Sequence, residues 1–172
     1  LDQALAATLK SLELKPDNPS SHVNLGVIYQ ELAYSAEGKK HTLEALNISP
    51  KHFNAAWNSQ TYSHTITEAE NSINLCLSIN KSDVKSKIAL AALKYHQGDN
   101  ALLDNLLQSE HKNHPYARSV KWASSLPCIP LLFFDRWSLF SHAIQVSDES
   151  RPFYEFGVWR ASSFKYLIKV FK

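Results

Sequence analysis

Small and apolar residues recur at three- and four-residue spacing over the first 124 positions, which predicts a succession of short helices. Residues 1–14, LDQALAATLKSLEL, form the first and stop at Pro16. Asn18 and Pro19 open the next, because an Asn side chain accepts free amide hydrogens and proline fits a first helical turn. Gly26 sits inside that helix between Leu25 and Val27, where glycine costs roughly 1 kcal/mol against alanine. So small a residue there implies a partner helix in close approach. The following helix carries Ala45 and ends at Pro50, since proline disfavours helix in the residue before it. Pro16 and Pro50 thus close the first and third helices at matching places.

The interval between these two prolines serves as a ruler for the rest of the chain. Residues 53–64 predict a first helix containing Trp57, and residues 67–79 a second, capped by Thr67, with Ala69, Ile73, Cys76 and Leu77 at helical spacing. This unit closes near Lys81, short of a full interval after Pro50. From Asp83 the interval returns: Ile88, Leu90, Ala91 and Leu93 make an apolar stripe, Gly98 and Asp99 a turn, and residues 102–110 a second helix before Pro115, one full interval after Lys81. Residues 116–124 predict a closing helix over the last exposed apolar face, as stacked repeats require at their ends.

The period and the spacing x-x-x-L-G-x-x-Y, carried by Leu25, Gly26 and Tyr29 with Ala45 and Pro50 beyond, resemble a tetratricopeptide repeat. His22 replaces the usual tryptophan, Gly38 the usual alanine and Thr42 the usual aromatic, so the repeat is degenerate. The resemblance implies a mainly α chain whose helical hairpins form an α-solenoid over residues 1–124. It also implies a protein or peptide partner held in a groove lined by first helices. Counted from Pro19, Val23, Val27 and Gln30 fall on that groove. Valines there argue against a basic clamp for a terminal carboxylate and for apolar, mixed contacts, or for a groove that packs the downstream domain.

Pro127 and Pro130 bracket a change of character. Residues 131–146 are rich in aromatics and carry the spacing of a buried helix that begins a new packing unit, residues 125–172. Residues 153–156 predict a strand, Gly157 a turn, and Ser162 onward a helix with Phe164, Leu167, Ile168 and Phe171 on one face, the truncated first β-α unit of an α/β domain. The run EFGVWRASS resembles the first motif of class I S-adenosylmethionine-dependent methyltransferases of the macrocin O-methyltransferase type, approximately E-x-G-V-W-x-G-G-S. Glu155, Gly157, Val158, Trp159 and Ser163 match it, while Ala161 and Ser162 stand in place of two glycines.

That resemblance implies methyl transfer to a hydroxyl, often of a sugar, with S-adenosylmethionine as cofactor and a divalent metal possible in the parent protein. The five matching residues would touch the cofactor. The acidic groups that complete such a site would lie beyond Lys172, so the chain by itself is expected to be inactive and to bind the cofactor weakly. A non-enzymatic repeat adaptor is the competing expectation.

Composition narrows the field further. Eighteen basic and 16 acidic residues leave a net charge of +2, too balanced for capture of nucleic acid or an anionic membrane. No apolar run approaches the roughly 20 residues that span a bilayer. The absence of methionine and a start at Leu1 within a helix suggest an internal piece of a longer protein. Cys76 and Cys128 form no CxxC pair and are expected to be buried thiols in a reducing, cytoplasmic setting. With no secretory signal, the N-x-S triplets at Asn47 and Asn80 carry no weight. Glu110, His111 and His114 are expected to decorate a helix end rather than bind metal, the cluster at Lys39, Lys40 and His41 to be a solvated face, and Trp57, Trp122 and Trp137 to pack. No set of residues is assigned to catalysis.

Overall fold

The computed structural model describes residues 1–148 and Tyr166, and these are mainly helical, with no strand among them. The helices are α1 (Asp2–Leu14), α2 (Pro19–Glu31), α3 (Ser35–Ile48), α4 (Phe53–Ser59), α5 (Ile66–Ile79), α6 (Val84–His96), α7 (Ala101–Gln108), α8 (Pro115–Ser124) and α9 (Arg136–Gln145). A 3-10 turn, Gln60–Tyr62, extends α4, and another, Glu110–Asn113, precedes α8.

Side-chain caps fix most of the starts. The Asn18 side chain accepts from the Ser20 and Ser21 amides, and Asp83 accepts from Ser86 at 2.7 Å. At α5 the cap is Thr65, not Thr67: its hydroxyl accepts from the Glu68 amide while the Glu68 carboxylate accepts from His64 N–H at 2.7 Å. That exchange satisfies two amides, and it is why the helix starts earlier than its apolar spacing indicates.

Helices adjacent in the chain pack on one another from α1 to α7, and α6 reaches α8 as α2 reaches α4. The result is a series of helical hairpins rather than a single layered core. Its apolar interior falls into separate clusters: Val23, Ala45 and Ala55; Ala69, Ile73 and Leu93; and Ile88, Ala91, Leu103, Leu106 and Ala117.

The closest crossing is α2 on α3. A Cβ on Gly26 would lie 2.5 Å from Thr42 Oγ1 and 3.3 Å from the Gly38 carbonyl oxygen, so the small residue does admit its partner helix. Gly38 faces the same junction, where an added Cβ would meet Tyr62 Oη at 2.6 Å. Tyr62 donates its hydroxyl hydrogen to the Gly26 carbonyl at 3.2 Å. Burial raises the phenol above the usual tyrosine range, which keeps that donor protonated. The departures at Gly38 and Thr42 are thus one arrangement: space left by the two residues is filled by an aromatic ring from the turn after α4.

Three other expectations are corrected. Residues 131–146 are not one buried helix: α9 begins at Arg136, where Asp135 accepts from the Trp137 and Ser138 amides, and only Trp137 in it is buried. Cys76 is buried, with its thiol pushed up to about 11 by desolvation, but Cys128 is exposed, because the irregular stretch after α8 gives it no helix to pack against. Trp122 is 67 % exposed on α8 and does not pack, while Trp57 is partly buried and Trp137 buried.

Candidate interaction site

The chain turns back on itself after α8. Residues 125–135 contain no helix, and Pro127 and Pro130 contribute to that by lacking amide donors and restricting the residues before them. Leu132 and Phe134 are two apart, the spacing of an extended strip, and both pack on the cluster of Ala69, Ile73 and Leu93, which also gathers Trp57, Ala89 and Leu90. Leu131, out of phase with them, is 70 % exposed. The segment therefore lies on side chains of α5 and α6.

The strip ends in an anchor on α2. The Trp137 indole N–H donates to the Gln30 main-chain carbonyl at 2.5 Å, and Arg136 pairs with Glu31 at 2.6 Å. The guanidinium also stands over the indole, 4.5 Å from the ring centroid, and the Tyr166 ring lies 4.7 Å from the indole between centroids. Magnitudes decide which part holds. Arg136 and Glu31 are each more than 40 % exposed, so their pair contributes at most about 1 kcal/mol. Trp137 is 5 % exposed, and truncating so large a buried side chain costs about 3–5 kcal/mol. The ring is the anchor and the ion pair sets its orientation.

A groove of about 330 Å³ opens between α4, α6 and α8, lined by Trp57, Gln60, Lys85, Ile88, Ala89 and Tyr116 among others. Trp57 and Ala89 also pack on the cluster of Ala69, Ile73 and Leu93. Lys85 carries the groove's charge, its ammonium 5.8 Å from the Tyr116 ring centroid.

Of the groove residues read from the sequence, Val23 is buried between α2, α3 and α4 with Ala45 and Ala55 and is closed to a ligand. Val27 is 45 % exposed, and Gln30 holds the anchor through its carbonyl while its side-chain Oε1 is buried without a hydrogen-bond partner. Glu155, Gly157, Val158, Trp159 and Ser163 lie outside the described residues, as does the expected β-α unit. Sequence reasoning missed Glu31, Leu132, Phe134 and Arg136. The alternation at Leu132 and Phe134, followed by a capping Asp135, was the signal available for an extended strip ending in a helix start.

A second polar cluster sits where the repeat pattern calls for tryptophan. His22 Nε2 faces the Pro16 carbonyl oxygen at 3.0 Å and its Nδ1 faces His41 Nδ1, also at 3.0 Å. The His41 ring stacks on Tyr29 with centroids 5.6 Å apart and planes 11° from parallel. Burial first, then His22 and Lys40, hold His41 below the usual histidine range, against an opposing pull from Glu44. His41 therefore does not belong to a solvated basic face, although Lys39 and Lys40 are exposed. Among the described residues no three His, Cys, Asp or Glu side chains converge as metal ligands, and no helix is long and apolar enough to cross a membrane. No family model, curated protein or solved structure matches this chain.

Proposed function

We propose that the chain is a tetratricopeptide-type scaffold, acting in the cytoplasm, that ties the opening of a C-terminal unit to its repeats and offers a partner protein or peptide a groove. The observation that carries this reading is the anchor of Trp137 on Gln30, a contact across 107 positions of sequence. A unit merely strung after the repeats has no need of it. The C-terminal unit is the start of an S-adenosylmethionine-dependent O-methyltransferase domain, on the resemblance of Glu155, Gly157, Val158, Trp159 and Ser163 to that family's first motif. The repeats then position a partner or methyl acceptor for the enzyme.

Hydrogen exchange tests the anchoring. Trp137→Ala should abolish amide protection across α9 and leave α2 to α8 protected. Unchanged protection of α9 would remove the basis of the scaffold reading. Calorimetric titration with S-adenosylmethionine tests the rest: this chain should show no tight binding, because the acidic residue that holds the ribose belongs about 20 positions after the glycine motif. Tight binding would mean that the cofactor site is complete without it.

The adaptor reading is favoured by the groove between α4, α6 and α8, which needs no enzyme to be useful. In it the same anchor closes the repeat array, and the region around Glu155 is an ordinary strand end.

A further inference from the structure

The stretch from Leu132 to Trp137 has the form of a bound peptide. It is non-helical over Leu132 to Phe134, places two apolar side chains two positions apart on a helical surface, and finishes with a hydrogen bond to a main-chain carbonyl and an ion pair. These are the terms on which a helical surface holds a foreign segment: apolar anchors for affinity, an indole N–H and a guanidinium for register. Its connection to α8, residues 125–131, is non-helical and carries two prolines, so the segment is tied to the array by its contacts and a tether. A tethered segment competes at high effective concentration with anything that arrives from solution.

We propose that residues 132–137 are a built-in ligand, closing a face made by α2, α5 and α6 against a partner peptide of the same chemistry. This rests on the scaffold reading above and adds regulation to it. The partner is an extended segment with two aliphatic or aromatic side chains two positions apart, followed by an arginine next to a tryptophan. It reaches the Gln30 carbonyl only by displacing the strap. Gln30 Oε1 gives an incoming peptide an acceptor that the strap leaves unused. Charge complementarity with Glu31 selects the cation.

The test uses a fluorescein-labelled peptide of residues 129–146 titrated by anisotropy with the whole chain. Trp137→Ala, shown by hydrogen exchange to keep α2 to α8 protected, should bind at least about tenfold more tightly than the wild type, because its binding face is open for a larger fraction of the time. The same peptide carrying alanine for tryptophan should not bind. Equal affinity for both chains, or no binding to the folded variant, overturns the proposal. Should Trp137→Ala fail to fold, Glu31→Arg replaces it: that chain should prefer a peptide with Arg136→Glu over the native peptide by at least about threefold, and no preference overturns the proposal. A wild type that sediments as a dimer, and becomes monomeric on loss of Trp137, would assign the strap to a second copy and overturn closure within one chain. Protection of α9 in the wild type with no peptide binding to the opened variant defeats this proposal while the scaffold reading stands.

Discussion

The crossing of α2 on α3 and the cluster joining α6, α7 and α8 use one topology and opposite materials. In the first, two helices meet through Gly26, Gly38 and Thr42, the Tyr62 phenol fills the space at Gly38, and a His22–His41 contact joins the same two helices. In the second, Ile88, Leu103 and Leu106 interdigitate over Ala91 and Ala117. Close approach makes the first pair depend on shape and on directional hydrogen bonds. Apolar area makes the second depend on volume. The two regions should therefore fail for different reasons: the glycine crossing when something is added, the aliphatic cluster when something is removed.

Removal from the cluster has the largest expected effect. Ile88 is 2 % exposed, and Ile88→Ala should lower stability by about 2–5 kcal/mol, read as a fall in the urea midpoint. Because the clusters are separate, the amides of α6, α7 and α8 should lose exchange protection well before those of α2 and α3. Equal loss in both regions would show that they unfold as one unit and would break the comparison.

Addition at the crossing comes next. Gly38→Ala gains about 1 kcal/mol of helix propensity, yet its Cβ would stand 3.0 Å from the Gly26 carbonyl oxygen and 2.6 Å from Tyr62 Oη. Backbone oxygen cannot step aside as a flexible side chain can, and overpacking costs about 1–3 kcal/mol, so the variant should be destabilised by about 1 kcal/mol net. Tyr62→Phe alone should cost about 1 kcal/mol through loss of the hydrogen bond to Gly26. The double variant should cost less than the two added together, since removing the hydroxyl also removes the shorter of the two collisions. Costs that add to within about 0.5 kcal/mol would show that the junction is not one packed unit.

How far this was readable from the chain depended on whether the cause was local. The helices, the cap at Asn18 and the close approach at Gly26 follow from propensity, capping chemistry and spacing, all of which act within a few residues. The filling of the space at Gly38 and Thr42 by Tyr62 does not, because it joins α3 to the turn beyond α4, positions that no periodicity connects. The strap is harder still. Leu131 to Phe134 resembles the start of a buried helix by composition, and only Asp135, as a cap, signals that the helix begins later. The resemblance to a tetratricopeptide repeat implies a groove-facing Val23, but Ala55 of α4 packs over it. The anchor of Trp137 on Gln30 had no local signature.

The smallest effect separates the two regions by proton chemistry. The Pro16 carbonyl only accepts, so the nitrogen of His22 that meets it carries a hydrogen, and the 3.0 Å contact between the two Nδ1 atoms then requires one donor and one acceptor. Protonating both rings sets two N–H groups against each other. His41 titrates below 6.5 when folded and near 6.5 when unfolded, so between these values the unfolded chain binds more protons and stability rises with pH. The contribution is complete above pH 6.5 and is lost as pH falls through 6.5 toward the folded value. Burial lowers His96 on α6 as well, with the same sign, which gives the aliphatic region its own share. His41 is partly exposed and Lys40 and Glu44 flank it, so solvent screening keeps the effect small. Urea midpoints measured from about pH 7.5 to about pH 5.5 should fall for the wild type and fall less for His41→Phe, which keeps an aromatic ring against Tyr29 without a titrating nitrogen. His96→Gln should remove a different part of the slope, and exchange at α2 and α3 should follow only the first substitution. If the His41→Phe profile runs parallel to the wild type, the paired histidines are only filling space, and the directional bonding at the crossing rests on Tyr62.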